Sequence, residues 1–181
     1  MEHFENRILR PIRVFTEGAT LDGLLNAHLD WRTQDELNIA GRPMLTISSP
    51  LVVEGTMRLS QGPLQINKSA ILFATEIPDL GAELGSGTSE PFTAKFDHSV
   101  IRLELGGYDI EGYVYTTRNG DAMTRLNLAS HPFIALTMTT ITGRGIELRL
   151  PFVAVNRFHV VAAQELFGIS MMEEGAAGSA S

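Results

Sequence analysis

Displaced by 89 residues, the chain matches itself without a gap: residues 12–76 lie over 101–165 with no insertion or deletion. Identical pairs run through the whole overlap. Ile12-Arg13 meets Ile101-Arg102, Gly18 and Gly23 meet Gly107 and Gly112, and Leu37-Asn38 meets Leu126-Asn127. Pro43 meets Pro132, Asn67 meets Asn156, and Glu76 meets Glu165. Elsewhere type is kept: Asp22 over Glu111, Lys68 over Arg157, Met44-Leu45 over Phe133-Ile134, Ile71-Leu72 over Val160-Val161. A repeat of this length constrains the fold more than local propensity does, because whatever one copy forms the other must form too. The chain reads as a tandem duplication, with a first repeat over 1–76 and a second over 99–165. Between them, 77–98 is rich in Gly, Ser and Pro and reads as a linker; 166–181 reads as a tail with disordered last residues.

The second copy gives the clearer pattern of elements. Ser99–Leu105 and Tyr108–Thr117 alternate apolar and polar side chains, the period of half-buried strands, with Gly106-Gly107 between them. Gly112 and its counterpart Gly23 fall in mid-strand, where a glycine marks a bulge or bend. Arg118-Asn119-Gly120-Asp121 signals a turn, and Ala122–Ala129 a brief helix. The first copy's Thr33-Gln34-Asp35-Glu36 has the spacing of a capping box with Thr33 as the cap. Pro43 and Pro132 then open strands, as Phe133–Ile141 does, and two more follow over about 145–155 and 157–163, jointed at Asn156-Arg157.

Five short strands and one helical turn in such a span predict a mainly β protein of two tandem SH3-like or Sm-like small barrels related by internal duplication. A split sandwich or one fused barrel also satisfies the pattern. Each unit alone is marginal in size, so packing of the two copies against each other would enlarge the core.

The run Gly107-Tyr108-x-Ile110-x-Gly112, the pair Leu126-Asn127, Phe133-Ile134-x-Leu136 and the segment 152–161 together resemble an uncharacterised bacterial small-barrel domain. The first copy is a degenerate version of it, with Pro63-Leu64-Gln65-Ile66-Asn67-Lys68 in the last segment. A looser likeness to Sm-like proteins implies a ring that binds RNA. Against that likeness, Asn127 is followed by Ala-Ser-His-Pro rather than running into a strand, and no Arg-Gly pair stands near Asn156.

The chemistry-bearing residues are sparse. With no cysteine, disulfides, thiolate metal sites and cysteine nucleophiles are excluded. The five histidines show no metal-ligand spacing and do not recur between copies. No phosphate-binding loop or nucleophile elbow is present. Asp22 and Glu111 recur by duplication and read chiefly as solvent-facing acids rather than a catalytic pair. Tyr113 and Tyr115 share a strand face and read as core or inter-repeat packing before a base-stacking platform. The candidate binding residues are therefore the recurring polar ones: Asn38, Asn127, Asn67, Lys68, Asn156 and Arg157. Asparagine stabilises turns by bonding to nearby backbone, so a turn role stands beside a ligand contact presented once per copy.

A formal charge of -7 argues against nucleic-acid binding through a net positive field. The start MEHFENRILRP lacks the apolar core of a signal peptide, and no stretch suffices to span a bilayer, so a cytoplasmic location is expected. The expected function is a non-catalytic scaffold or binding protein, without cofactor or metal, that self-associates or binds a protein partner through its strand edges. An Sm-like RNA-binding role is the alternative.

Overall fold

The computed structural model describes residues 6–77, 97–116 and 121–166. Most of the linker and tail, and most of the Arg118–Asp121 turn signal, lie outside the described residues. The chain is mainly β. Its strands are β1 (Arg7–Thr16), β2 (Ala19–His28), β3 (Met44–Gly55), β4 (Leu64–Asn67), β5 (Ile71–Glu76), β6 (Asp97–Leu105), β7 (Tyr108–Thr116), β8 (Phe133–Gly143), β9 (Ile146–Asn156) and β10 (Ala162–Glu165). Short helices α1 (Thr33–Leu37) and α2 (Ala122–Leu128) follow β2 and β7, and single 3-10 turns at Lys68–Ala70 and Arg157–His159 follow β4 and β9.

All ten strands belong to one antiparallel sheet in the order β10-β6-β7-β8-β9-β5-β1-β2-β3-β4. Its two halves have the same internal order, β10-β6-β7-β8-β9 and β5-β1-β2-β3-β4, and the pairing of β5 with β9 joins them. The expectation of two separate barrels thus meets a single continuous sheet, with β10 and β4 left at its edges.

The 89-residue spacing holds down to the pairing register. Ile12 pairs with Gly23 and Ile101 with Gly112. Met44 pairs with Asn67 and Phe133 with Asn156. Ile12 also pairs with Glu76, as Ile101 does with Glu165. Both mid-strand glycines sit at irregularities in register, between Asp22 and Leu24 and between Glu111 and Tyr113. The reason is close approach: a Cβ on Gly112 would stand 3.2 Å from the Thr137 carbonyl, and one on Gly23 3.1 Å from that of Ser48. Ser49 and Met138, 89 residues apart, both take the left-handed backbone conformation, at φ 49° and 50°. For non-glycine residues that conformation is uncommon, and its recurrence marks one bend built twice.

β7 shows how sequence becomes sheet. In YDIEGYVYT, Tyr108, Ile110, Gly112, Val114 and Thr116 point inward while Asp109, Glu111, Tyr113 and Tyr115 point outward. Burying Ile110 and Val114 contributes roughly 1.5–3 kcal/mol per side chain, and a charge at Ile110 would abolish that. The same alternation corrects the expectation for the tyrosines. Tyr113 and Tyr115 lie on the outer face beside His98, with ring centroids 5.2 and 6.4 Å away, and do not pack in the core.

Two hydrophobic cores result. One is built mainly of the second half, including Leu103, Ile110, Leu136, Ile141, Val153 and Val155. The other is built mainly of the first, including Ile12, Val14, Leu21, Ile47 and Ile71. The junction strands feed both. Leu72 and Phe73 of β5 enter the second half's core, whereas Ile71 and Ala74 stay in the first. On β9, Val153 and Val155 face the second core and Ala154 the first. This explains the unbroken apolar run Ile71–Ala74 in β5: both faces of the strand are covered there. Phe15 stacks on Phe73 at 4.2 Å, and the edge of Tyr108 meets Phe73 at 5.1 Å, tying the halves together with aromatic contacts.

Two local expectations need correction. α1 is capped one residue earlier than the sequence pattern indicates: Arg32 is the cap, and the Asp35 carboxylate accepts its N–H at 2.8 Å. Thr33 instead donates its hydroxyl to Glu76 at 2.7 Å, because Glu76 of β5 lies within reach of the helix start. Second, the last strand begins at Ala162, not at 157, because Arg157–His159 form a 3-10 turn.

Candidate functional site

The asparagines of the two 3-10 turns do the same local work. The Asn67 side-chain oxygen accepts the Ser69 N–H at 3.0 Å, and that of Asn156 accepts the Phe158 N–H at 3.2 Å. Each thereby satisfies a backbone donor that the short turn leaves open. Their remaining donors differ. Nδ2 of Asn156, on a side chain only 2% exposed, reaches across the junction to the carbonyls of Lys68 (3.3 Å) and Ile71 (3.0 Å). Asn67 is exposed, and its Nδ2 has no partner among the described residues.

Asn38, just past α1, also crosses the junction. Its Nδ2 donates to the Phe133 carbonyl at 2.9 Å, where Gln34 Nε2 adds a second donor at 3.0 Å, and its Oδ1 accepts the Phe133 N–H. A primary amide offers a donor and an acceptor side by side, so it bonds to the first residue of β8 much as a neighbouring strand would. Its counterpart Asn127, in the last turn of α2, is exposed and has no side-chain partner among the described residues.

Lys68 is buried and donates from Nζ to the Glu36 carbonyl at 3.0 Å. Burial holds its pKa below the ordinary lysine value; the nearby Glu36 charge opposes that shift and Arg42 adds to it. Arg157 stays half-buried, donating to the His131 carbonyl at 3.1 Å with its guanidinium over the Phe158 ring. His159 lies 2.6 Å from the Ser69 carbonyl, which makes its Nε2 the protonated donor.

These contacts surround an open cavity of about 410 Å³ at the junction. Asn38, Asn67, Lys68 and Asn156 line it together with His131 and Phe133. Four of the six residues singled out from the sequence thus come together, Arg157 stands behind His131, and Asn127 lies elsewhere. Residues the sequence did not single out are Gln34 and two carboxylates. Glu36 is buried and accepts the His28 N–H and an Arg7 ion pair at 3.3 Å; Glu76 accepts from Thr33 and Arg10. The identity of Glu76 with Glu165 was the one available signal for the second.

The recurring acids are paired rather than poised for proton transfer. Asp22 holds Arg13 through two bonds of 2.6 and 2.8 Å, and the equivalent Glu111 lies 4.0 Å from Arg102, which binds Asp109 more closely. Among the described residues, no cluster of three or more His, Asp or Glu is placed to hold a metal ion. Among the described residues, no helix is long and apolar enough to cross a membrane. What the site's groups do chemically is bind peptide groups: the side-chain amides of Gln34, Asn38 and Asn156 are directed at backbone groups of the opposite half. Compared with protein-family models, curated proteins and solved structures, the chain has no significant match.

Proposed function

We propose that this chain is a non-catalytic binding or scaffold protein, built of two small-barrel units from one duplicated ancestor, that engages protein through its sheet edges. The identical strand order of the halves and their shared register support the duplicated-unit reading. One observation carries the function: inside the chain, the β9 edge of one unit already binds the β5 edge of the other, with the side-chain amides of Gln34, Asn38 and Asn156 sealing the contact. The equivalent edges at the ends of the sheet, on β4 and β10, have no strand partner among the described residues. An unpaired strand presents free N–H and C=O groups, a template for another chain.

The test is the absolute mass of the purified protein by light scattering on a sizing column, with absorbance followed at 260 and 280 nm. A mass above the monomer with no nucleic acid supports a self-assembling scaffold. A monomer that takes up a protein from its native extract, and loses it when Val161→Glu charges the β10 edge, supports an adaptor. A nuclease-sensitive excess at 260 nm would replace both with RNA binding.

A further inference from the structure

The two ends of the sheet are complementary to each other. β4 occupies in the first half the place of the last part of β9 in the second, and β10 occupies in the second half the place of β5 in the first. At the junction, a β9-type edge meets a β5-type edge. At the two ends of the sheet, one edge of each type has no strand neighbour among the described residues.

The surface around these edges is what the junction would lead one to expect of an uncovered copy. Phe133, gripped by Asn38, is 1% exposed, whereas its counterpart Met44 is 40% exposed. Leu72, which enters the other half's core, is 0% exposed, whereas its counterpart Val161 is 80% exposed. Ala162 and Ala163, counterparts of the fully buried Phe73 and Ala74, are exposed. Among the described residues, Nδ2 of Asn67 has no partner where Asn156 uses its own to bind two carbonyls, and the Asn127 side chain has none where Asn38 has Phe133.

We infer that a second copy of this chain docks head to tail, its β4 pairing antiparallel with β10 of the first in the register of the internal β9–β5 joint. That register places Ala162 opposite Ile66 and Ala163 opposite Gln65, as Phe73 stands opposite Val155 and Ala74 opposite Ala154. Asn127 then brackets the backbone of Met44 in the next chain, and Nδ2 of Asn67 binds the carbonyls of Arg157 and Val160. Val161 and Ala162 leave water for the next chain's core. The contact is heterologous, so each added copy exposes the same pair of ends, and assembly ends in a ring where the rotation closes and in an open filament where it does not. Because Ala162 is far smaller than Phe73, the contact between chains buries less apolar surface than the internal joint and is correspondingly weaker.

The inference rests on the edge-binding reading and narrows it to one partner and one register. The absence of cysteine makes it directly testable. Two single-cysteine proteins, Gln65→Cys and Ala163→Cys, are mixed under mild oxidation and resolved without reductant. The expected result is a disulfide dimer formed on mixing and scarcely formed by either protein alone. It should fall at least tenfold when Val161→Glu is added to the Ala163→Cys chain, with circular dichroism unchanged. Assemblies that give Gln65→Cys homodimers instead would overturn the head-to-tail register while leaving self-association through edges intact. A protein that stays monomeric and uncrosslinked at high concentration, as it would if its own tail covered β10, would overturn both.

Discussion

The side-chain amide of Asn38 binds both polar groups of the Phe133 backbone, donating to its carbonyl at 2.9 Å and accepting its N–H at 3.0 Å. One residue of the first half thereby completes the start of a strand in the second. The contact lies beside the β5–β9 pairing and explains how two small units share one sheet.

Replacing Asn38 with Ala leaves the Phe133 N–H without its acceptor, while Gln34 still serves the carbonyl. The expected cost is about 1–3 kcal/mol, read as a lower urea midpoint. Asn38→Asp keeps the acceptor and should recover part of the loss.

Gly112→Ala and Gly23→Ala should each destabilise the fold by roughly 1–3 kcal/mol, since the new methyl group meets a backbone carbonyl. Gly18→Ala, with nothing within 4 Å of its Cβ, should cost far less. Thermal melts of the three variants compare them directly.

Thr139 is buried, and its hydroxyl has no partner among the described residues. Thr139→Val keeps the shape and removes the unmet polar group, so it should raise stability by about 1 kcal/mol.

Asp121 caps α2, and the Met123 N–H, followed by the Thr124 hydroxyl, holds its pKa below the ordinary 3.8. A carboxylate with a depressed folded pKa contributes stability that is present above its unfolded value and lost as pH falls through the folded one. The stability difference between the protein and Asp121→Asn should therefore be steady near neutrality and shrink below about pH 3.8.

Much of the fold was legible because the repeat let each copy check the other. Gly23 and Gly112 pointed to the irregularities in register, and the prolines at 43 and 132 to the starts of β3 and β8. The junction was not legible. Pairing of Phe73 with Val155 joins residues far apart in the chain, and nothing in local periodicity records which edge meets which. The candidate site was found through its recurring asparagines, yet recurrence could not separate Asn38, which seals the junction, from Asn127, which faces solvent. The spacing of residues 33–36 does not make Thr33 the cap, because its hydroxyl is drawn to Glu76, a partner the sequence does not bring near. Packing of Tyr113 and Tyr115 in the core does not hold, because their alternation with Ile110 and Val114 puts both on the outer face.

The most direct test of the account is backbone hydrogen exchange, followed by mass spectrometry over a range of protein concentrations, at the two sheet edges. Docking of β4 on β10 predicts that exchange over 64–67 and over 161–165 slows together as concentration rises, and that Val161→Glu abolishes the slowing at both. Exchange that stays independent of concentration at both edges, or that slows at one edge alone, would contradict a head-to-tail assembly.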